Sequence, residues 1–302
     1  MNNSLNPIDM KPTLTVFTPT YNRSHTLPRT YASLCRQTSK DFEWLVIDDG
    51  STDGTEALVK GWIAEGKIPI RYIWKENGGL HTGYNTAIAN MDTELCVCID
   101  SDDWMPDDAV EKIVSFWRKN GSNRYAGIIG LDYCEDDIPV GNPLPNVETL
   151  HIAELSSKYH NSGDRKIVMR VDLLKQVYPQ PTFEGEKNFN PIYLILKIDQ
   201  IHPFLLLNEN LCYVDYQQDG MGANIINQYF NSPRSFMELR KLGLSLKYTT
   251  MPWRIKQYIH LIAESRIAKI SPYQESISSV AVTMLYPFGL VLYYYLLSKK
   301  TI

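Results

Sequence analysis

The feature that most restricts this chain is an apolar run ending in a knot of acids. Residues 95–99 have the composition of a buried strand, and Asp100, Asp102 and Asp103 follow at once. Carboxylates crowded at one strand end repel one another, so the position calls for a cation. A divalent ion carrying a phosphate suits it, because hard cations prefer carboxylate oxygens. Acids there also serve as solvated caps of the next helix. The knot alone does not decide between the two, and the surrounding pattern does.

That pattern is an alternation. Residues 14–18 are β-rich and break at Pro19, Thr20, Tyr21, Asn22 and Arg23; a helix is expected over 27–37, with Pro28 in its first turn. A second apolar run, 43–47, ends in Asp48, Asp49, Gly50 and Ser51 and leads into a helix after Thr55. A third run at 70–74 precedes a helix over 80–90, and the run at 95–99 precedes a helix over 106–120. Strands alternating with helices predict a mostly parallel, Rossmann-like α/β sheet covered by helices on both faces. Ligands of such sheets bind beyond the carboxyl ends of the strands. Loops 19–22, 48–51 and 100–103 all fall there, so three segments distant in sequence converge on one crevice.

Each loop carries chemistry suited to a nucleotide. Asp49 can accept from a base N–H, and Thr20 and Tyr21 offer a hydroxyl and an aromatic face to base and ribose. The turn at Gly78 and Gly79 permits close approach of the backbone to a ligand. Asn85, inside the following helix, is either a further contact or a plain surface amide.

Five cysteines are too scattered for a zinc site, and Cys96 and Cys98 read as small core residues. Their odd number and the polar start of the chain suggest a reducing cytoplasm without a signal peptide. The net charge of −4 hides a split. Residues 234–302 hold ten Lys or Arg against three acids, a balance of +7, and the remainder carries −11. A basic region of this kind suits an anionic partner, either a membrane or a nucleic acid.

Taken together, Phe17-Thr18-Pro19-Thr20-Tyr21-Asn22-Arg23, then Val46-Ile47-Asp48-Asp49-Gly50-Ser51-Thr52-Asp53-Gly54-Thr55, then Asn77-Gly78-Gly79, then Asp100-Ser101-Asp102-Asp103 resemble the family 2 glycosyltransferases of bacteria. The resemblance covers about residues 12–120. It implies a GT-A fold and inverting transfer from a nucleoside-diphosphate sugar, with UDP the expected nucleotide. It places Asp49 on the nucleobase and makes Asp100-Ser101-Asp102 the motif that holds Mn²⁺ or Mg²⁺ against the diphosphate. Asp102 is expected to be the main metal ligand, with Asp100 on the ribose or the metal. A second resemblance, Pro181-Thr182-Phe183-Glu184-Gly185-Glu186-Lys187 followed by Asp215-Tyr216-Gln217-Gln218-Asp219-Gly220, is to the acceptor half of capsule and cell-wall members. There an acid deprotonates the acceptor hydroxyl; Glu186 is nominated, with Glu184 in reserve.

The expected organisation is a catalytic domain over 1–233, split into a nucleotide-sugar half (about 12–120) and an acceptor half (about 121–233), followed by a basic helical appendage over 234–302. Residues 277–297 are 21 uncharged residues followed by Lys299 and Lys300. Their length reaches that of a membrane span, but Pro287 and Gly289 are expected to break it, which favours an interfacial segment. The expected partners are therefore a nucleotide sugar, a glycan or lipid-linked glycan acceptor and the inner face of the cell membrane, not nucleic acid; homo-oligomerisation is left open. Two other functions compete with this one. A sugar-phosphate nucleotidyltransferase needs a Gly-rich basic loop after the first strand, where this chain has residues 18–23. A non-catalytic membrane-attached scaffold would not need Asp49, Asp100 and Asp102 together.

Overall fold

The computed structural model describes residues 11–215 and 225–300. Residues 216–220 of the second acceptor motif lie outside them. Four strands, β1 (Leu14–Thr20), β2 (Phe42–Asp48), β3 (Ile70–Trp74) and β4 (Leu95–Cys98), pair in parallel. They are linked by α1 (Leu27–Cys35), α2 (Thr55–Glu65) and α3 (Leu80–Asn90). After α4 (Ala109–Asn120), the strands β5 (Gly127–Tyr133), β6 (Thr149–Leu150), β7 (Arg165–Arg170) and β8 (Phe204–Tyr213) widen the sheet. The order is β3-β2-β1-β4-β7-β5-β8-β6. Four of the seven pairings are parallel, and β7 runs against both of its neighbours, β4 and β5. The expectation of a mostly parallel sheet holds, with this reversed strand at its centre.

Alternation along each strand builds two cores. Phe17, Leu45, Ile47, Cys96, Ile129 and Met169 pack on one face against α3, α6 (Val171–Val177) and α7 (Ile192–Asp199). Their neighbours Val16, Trp44, Val46, Val97, Ile128 and Val168 pack on the other against α1, α2 and α4. Successive strand residues point to opposite faces, so runs apolar at every position are buried twice over. Cys96 is buried, Cys98 is half-buried, and both are free thiols.

The chain continues as α8 (Ile225–Asn231), α9 (Pro233–Ser245), α10 (Met251–Ala268), α11 (Pro272–Glu275) and α12 (Ser279–Lys299). A buried clasp ties this region back to the sheet helices. Asp199 of α7 accepts from the Ile152 N–H of α5 (Ile152–Ser157) at 3.0 Å and from the Tyr248 hydroxyl, and faces His151 Nδ1 at 3.3 Å. The His151 ring stacks on Tyr248 at 4.0 Å.

Helix α12 corrects one expectation, since it runs unbroken through Pro287. Val282, Gly289 and Leu296, seven residues apart, are its buried seam. The seam lies against α10 so closely that a Cβ on Gly289 would stand 2.4 Å from Ile262 Cγ2. On the opposite side Val280, Met284, Phe288, Val291 and Tyr295, spaced three and four apart, form one exposed stripe.

Candidate active site

The three loops do converge beyond the carboxyl ends of β1, β2 and β4, where the strand order turns back on itself. Thr18 and Thr20 are buried within β1, and Tyr21 is exposed. The β1 and β2 loops are sewn together. Asn22, in the left-handed conformation, donates its N–H to Ser51 Oγ at 2.9 Å and accepts from the Thr52 N–H at 2.8 Å. The Asp49 N–H donates to the Thr20 carbonyl at 2.8 Å. Asp48 accepts from the Ser51 N–H and the Tyr72 hydroxyl.

Asp49 differs from the picture of an acid waiting open for a base. It is 5% exposed, and the segment after β3 wraps it: the N–H groups of Gly78 (3.0 Å) and Gly79 (2.8 Å), the Asn77 amide and the Lys75 ammonium all donate to its carboxylate. Gly79 likewise serves a protein contact. It has φ +93°, and a Cβ there would stand 2.0 Å from the Lys187 carbonyl oxygen, so the turn after β3 rests on the loop around residue 187. Asn85 spends both ends of its amide on the backbone of Gln180, at 3.0 and 2.8 Å, and pins α3 to the start of that loop.

The acid turn is held from every side through its backbone and Asp103. The Asp103 N–H donates to the Asp100 carbonyl at 3.0 Å, and the Asp103 carbonyl accepts from the Thr30 hydroxyl at 2.7 Å. Arg29, also on α1, donates to the Asp102 carbonyl at 2.5 Å and to Asp215 at 2.7 Å, with its guanidinium 4.0 Å above the Trp104 ring. Trp104 in turn stacks on Tyr213 at 5.4 Å. Asp103 is buried; its Oδ1 accepts from the Asp215 N–H at 3.2 Å and its Oδ2 lies 3.8 Å from Lys166 Nζ. That ammonium is 3.7 Å from Asp132. Burial raises the pKa of both Asp103 and Asp132, and the Lys166 ammonium opposes that rise.

Asp100 and Asp102 are different. Among the described residues, the only side-chain donor to either carboxylate is the Cys98 thiol, 3.6 Å from Asp100. Burial, and after it the neighbouring Asp100, raise the pKa of Asp102, while Arg23 opposes the rise. No group of three or more His, Cys, Asp or Glu that could hold a metal is present among the described residues. Two carboxylates fit an ion that takes its other ligands from a diphosphate and water, the usual arrangement for Mg²⁺. Ser101 is buried between them.

On the acceptor side Glu184 is exposed. The Glu186 carboxylate accepts from the N–H groups of Arg234 (3.0 Å) and Ser235 (2.8 Å) and from the Ser235 hydroxyl (2.7 Å), which caps the start of α9. Beside it is a concavity of about 550 Å³, lined by Gly185, Lys187, Asn188, Gln228, Asn231 and Ser232. His81, buried, keeps an Nδ1 without a partner, and burial lowers its pKa. Sequence reasoning missed Arg29, Lys75, His81, Asp132 and Lys166. Lys166 and Asp132 left a signal, a charge inside an apolar strand.

A sequence profile described as glycosyl transferase family 2 matches residues 15–175, more than half of the chain. The chain belongs to glycosyl transferase family 2. Among curated proteins, this family 2 chain is 30% identical over 121 residues to the poly(ribitol-phosphate) beta-N-acetylglucosaminyltransferase TarP of Staphylococcus aureus, covering 39% of the chain and 37% of TarP. Its matches to the curated relatives span well under half of their lengths. Among solved structures, S. aureus TarS 1-349 in complex with UDP-GlcNAc aligns with a TM-score of 0.59 and 17% identity, over 95% of this chain and 92% of that 1-349 chain. A mannosyltransferase of Pyrobaculum calidifontis, in complex with GDP-Man and Mn²⁺, aligns with a TM-score of 0.55 and 16% identity, over 96% and 83% of the two chains. These likenesses establish the GT-A-like fold, a mixed sheet flanked by helices with a helical C-terminal region.

Proposed function

We propose that this family 2 chain is an inverting glycosyltransferase that moves a sugar from a UDP-linked donor to a hydroxyl of a bacterial surface glycan, with Mn²⁺ or Mg²⁺. One observation carries the proposal: Asp100 and Asp102 stand on a pinned turn at the switch between β1 and β4, and among the described residues the Cys98 thiol is the only side-chain donor to their carboxylates. When bound, the metal would neutralise the leaving diphosphate as a Lewis acid, with Asp102 as its main protein ligand and Asp100 beside it. Loops 18–23 and 48–51 would receive the nucleotide, with Asp49 shaping the base end through Gly78 and Gly79. The UDP-GlcNAc complex of TarS supports the choice of donor, and the TarP match supports a cell-wall glycan as acceptor.

The capping of α9 by Glu186 alters the order of the two candidate bases. Taking a proton at Glu186 would break a helix cap, whereas Glu184 is exposed and caps nothing, so Glu184 becomes the first candidate. The proposed organisation stays a catalytic 1–233 and a helical 234–302. The exposed stripe of α12, ending in Lys299 and Lys300, would lie on the anionic inner face of the cell membrane. Its buried seam on α10 keeps it along the surface rather than across the bilayer. Incubation with a panel of nucleotide sugars tests the central proposal. Metal-dependent release of UDP is expected, and no release from any donor, with or without glycan acceptor, overturns it.

A further inference from the structure

Three features set Lys166 apart. It is a lysine inside a strand at the centre of the sheet, 8% exposed. It comes from the reversed strand β7, whose first residues therefore lie beside the carboxyl end of β4. Val97 pairs with Val168, so the register continued outward brings Lys166 level with the start of the acid turn. Its ammonium sits between two buried carboxylates, Asp103 at 3.8 Å and Asp132 at 3.7 Å. A buried cation persists where its surroundings hold it in place, and here they are the underside of the turn that presents Asp100 and Asp102.

We propose that Lys166 is a positioning residue for the metal–diphosphate turn: its ammonium holds the Asp103 carboxylate from beneath and so fixes the backbone on which Asp100 and Asp102 stand. The inference rests on the proposed function. Without Lys166, Asp103 and Asp132 would each lose the buried cation beside them. Asp132 is fixed within β5, next to its paired position on β8. Asp103 lies on a turn, and its escape toward solvent moves the turn and the two metal ligands with it. Lys166 would then touch neither metal nor sugar and act mainly through Asp103, with a weaker pull on the Asp100 charge.

The test is calorimetric titration of UDP, with and without Mn²⁺, into wild type, Lys166→Met and the double variant Lys166→Met/Asp103→Asn. Residues that orient metal ligands typically contribute about 10–100-fold to metal affinity, so Lys166→Met should weaken Mn²⁺-dependent UDP binding at least about tenfold. UDP binding without metal should stay within about twofold, because the carboxylates that face Lys166, Asp103 and Asp132, lie outside loops 18–23 and 48–51. In the double variant the stranded carboxylate is gone, and Mn²⁺-dependent affinity should return to within about threefold of wild type, the mark of coupling between the two residues. A Lys166→Met protein that melts earlier but binds UDP with Mn²⁺ normally overturns the proposal, since Lys166 would then only stabilise the fold. A folded double variant without recovery also overturns it, whether or not Lys166→Met itself folds. A wild type in which Mn²⁺ does not strengthen UDP binding sinks the proposed function as well, an outcome distinct from the other two.

Discussion

The two sides of the crevice use their acids in the same divided way. Beyond β1, β2 and β4, Asp48, Asp49 and Asp103 are filled by protein donors and build loops, while among the described residues Asp100 and Asp102 meet only the Cys98 thiol as a side-chain donor. On the acceptor side Glu186 is filled and caps α9, while Glu184 is exposed. An acid with its oxygens occupied costs stability when removed, and an open one costs chemistry. Sequence alone does not separate the two kinds, because both are acids at the ends of elements.

The largest expected effect falls on an open acid. Asp102→Ala should abolish detectable turnover and weaken Mn²⁺-dependent UDP binding by about a hundredfold, with thermal unfolding unchanged. Normal metal-dependent binding in this variant would break the comparison at its strongest point. Next comes Glu184→Gln, expected to lower kcat by about 10²–10⁴-fold, the usual contribution of a general base, without changing UDP affinity. Glu186→Gln should do the reverse: a loss of about 0.5–2 kcal/mol in denaturant unfolding, as for other helix caps, with most of kcat retained. If Glu186→Gln is the dead variant, the open-versus-filled division fails on the acceptor side and the base is the capping residue.

The smallest effect sharpens the contrast away from the crevice. The hydrogen bond to Asp199 raises the pKa of His151, although burial opposes it. A raised value means that the charged clasp stabilises fully below the unfolded pKa, about 6.5, and that this stability fades as pH rises through the folded value. The difference in Tm between wild type and His151→Phe should therefore be larger at about pH 6 than at about pH 9. A difference that grows with pH would show that His151 is not charged in the fold.

The donor half was legible because its chemistry lies in local order. β1, β2 and β4 each run straight into their site residues, so strand, loop and acid are neighbours in sequence. The other half assembles across distance. Lys166 reaches the acid turn only because β7 is reversed, and Arg29 reaches Asp215 from 186 residues away. The filling of Asp49 and Glu186 was illegible for the same reason, since their donors come from the segment after β3 and from the start of α9. In α12 the sequence was read for its length and its Pro287, whereas packing on Ile262 through Gly289 decided how the helix lies.

The contact between Gly79 and the Lys187 carbonyl limits how this scaffold can be re-engineered. A specificity change made by grafting the acceptor loop of another family member onto this chain has to import a backbone that passes Gly79 at the same distance. Gly79→Ala would displace residue 187, and the capping Glu186 next to it, before any sugar is bound. The segments around 79 and 187 are thus one transplantable block, and chimeras that exchange them together should express and fold where single exchanges do not.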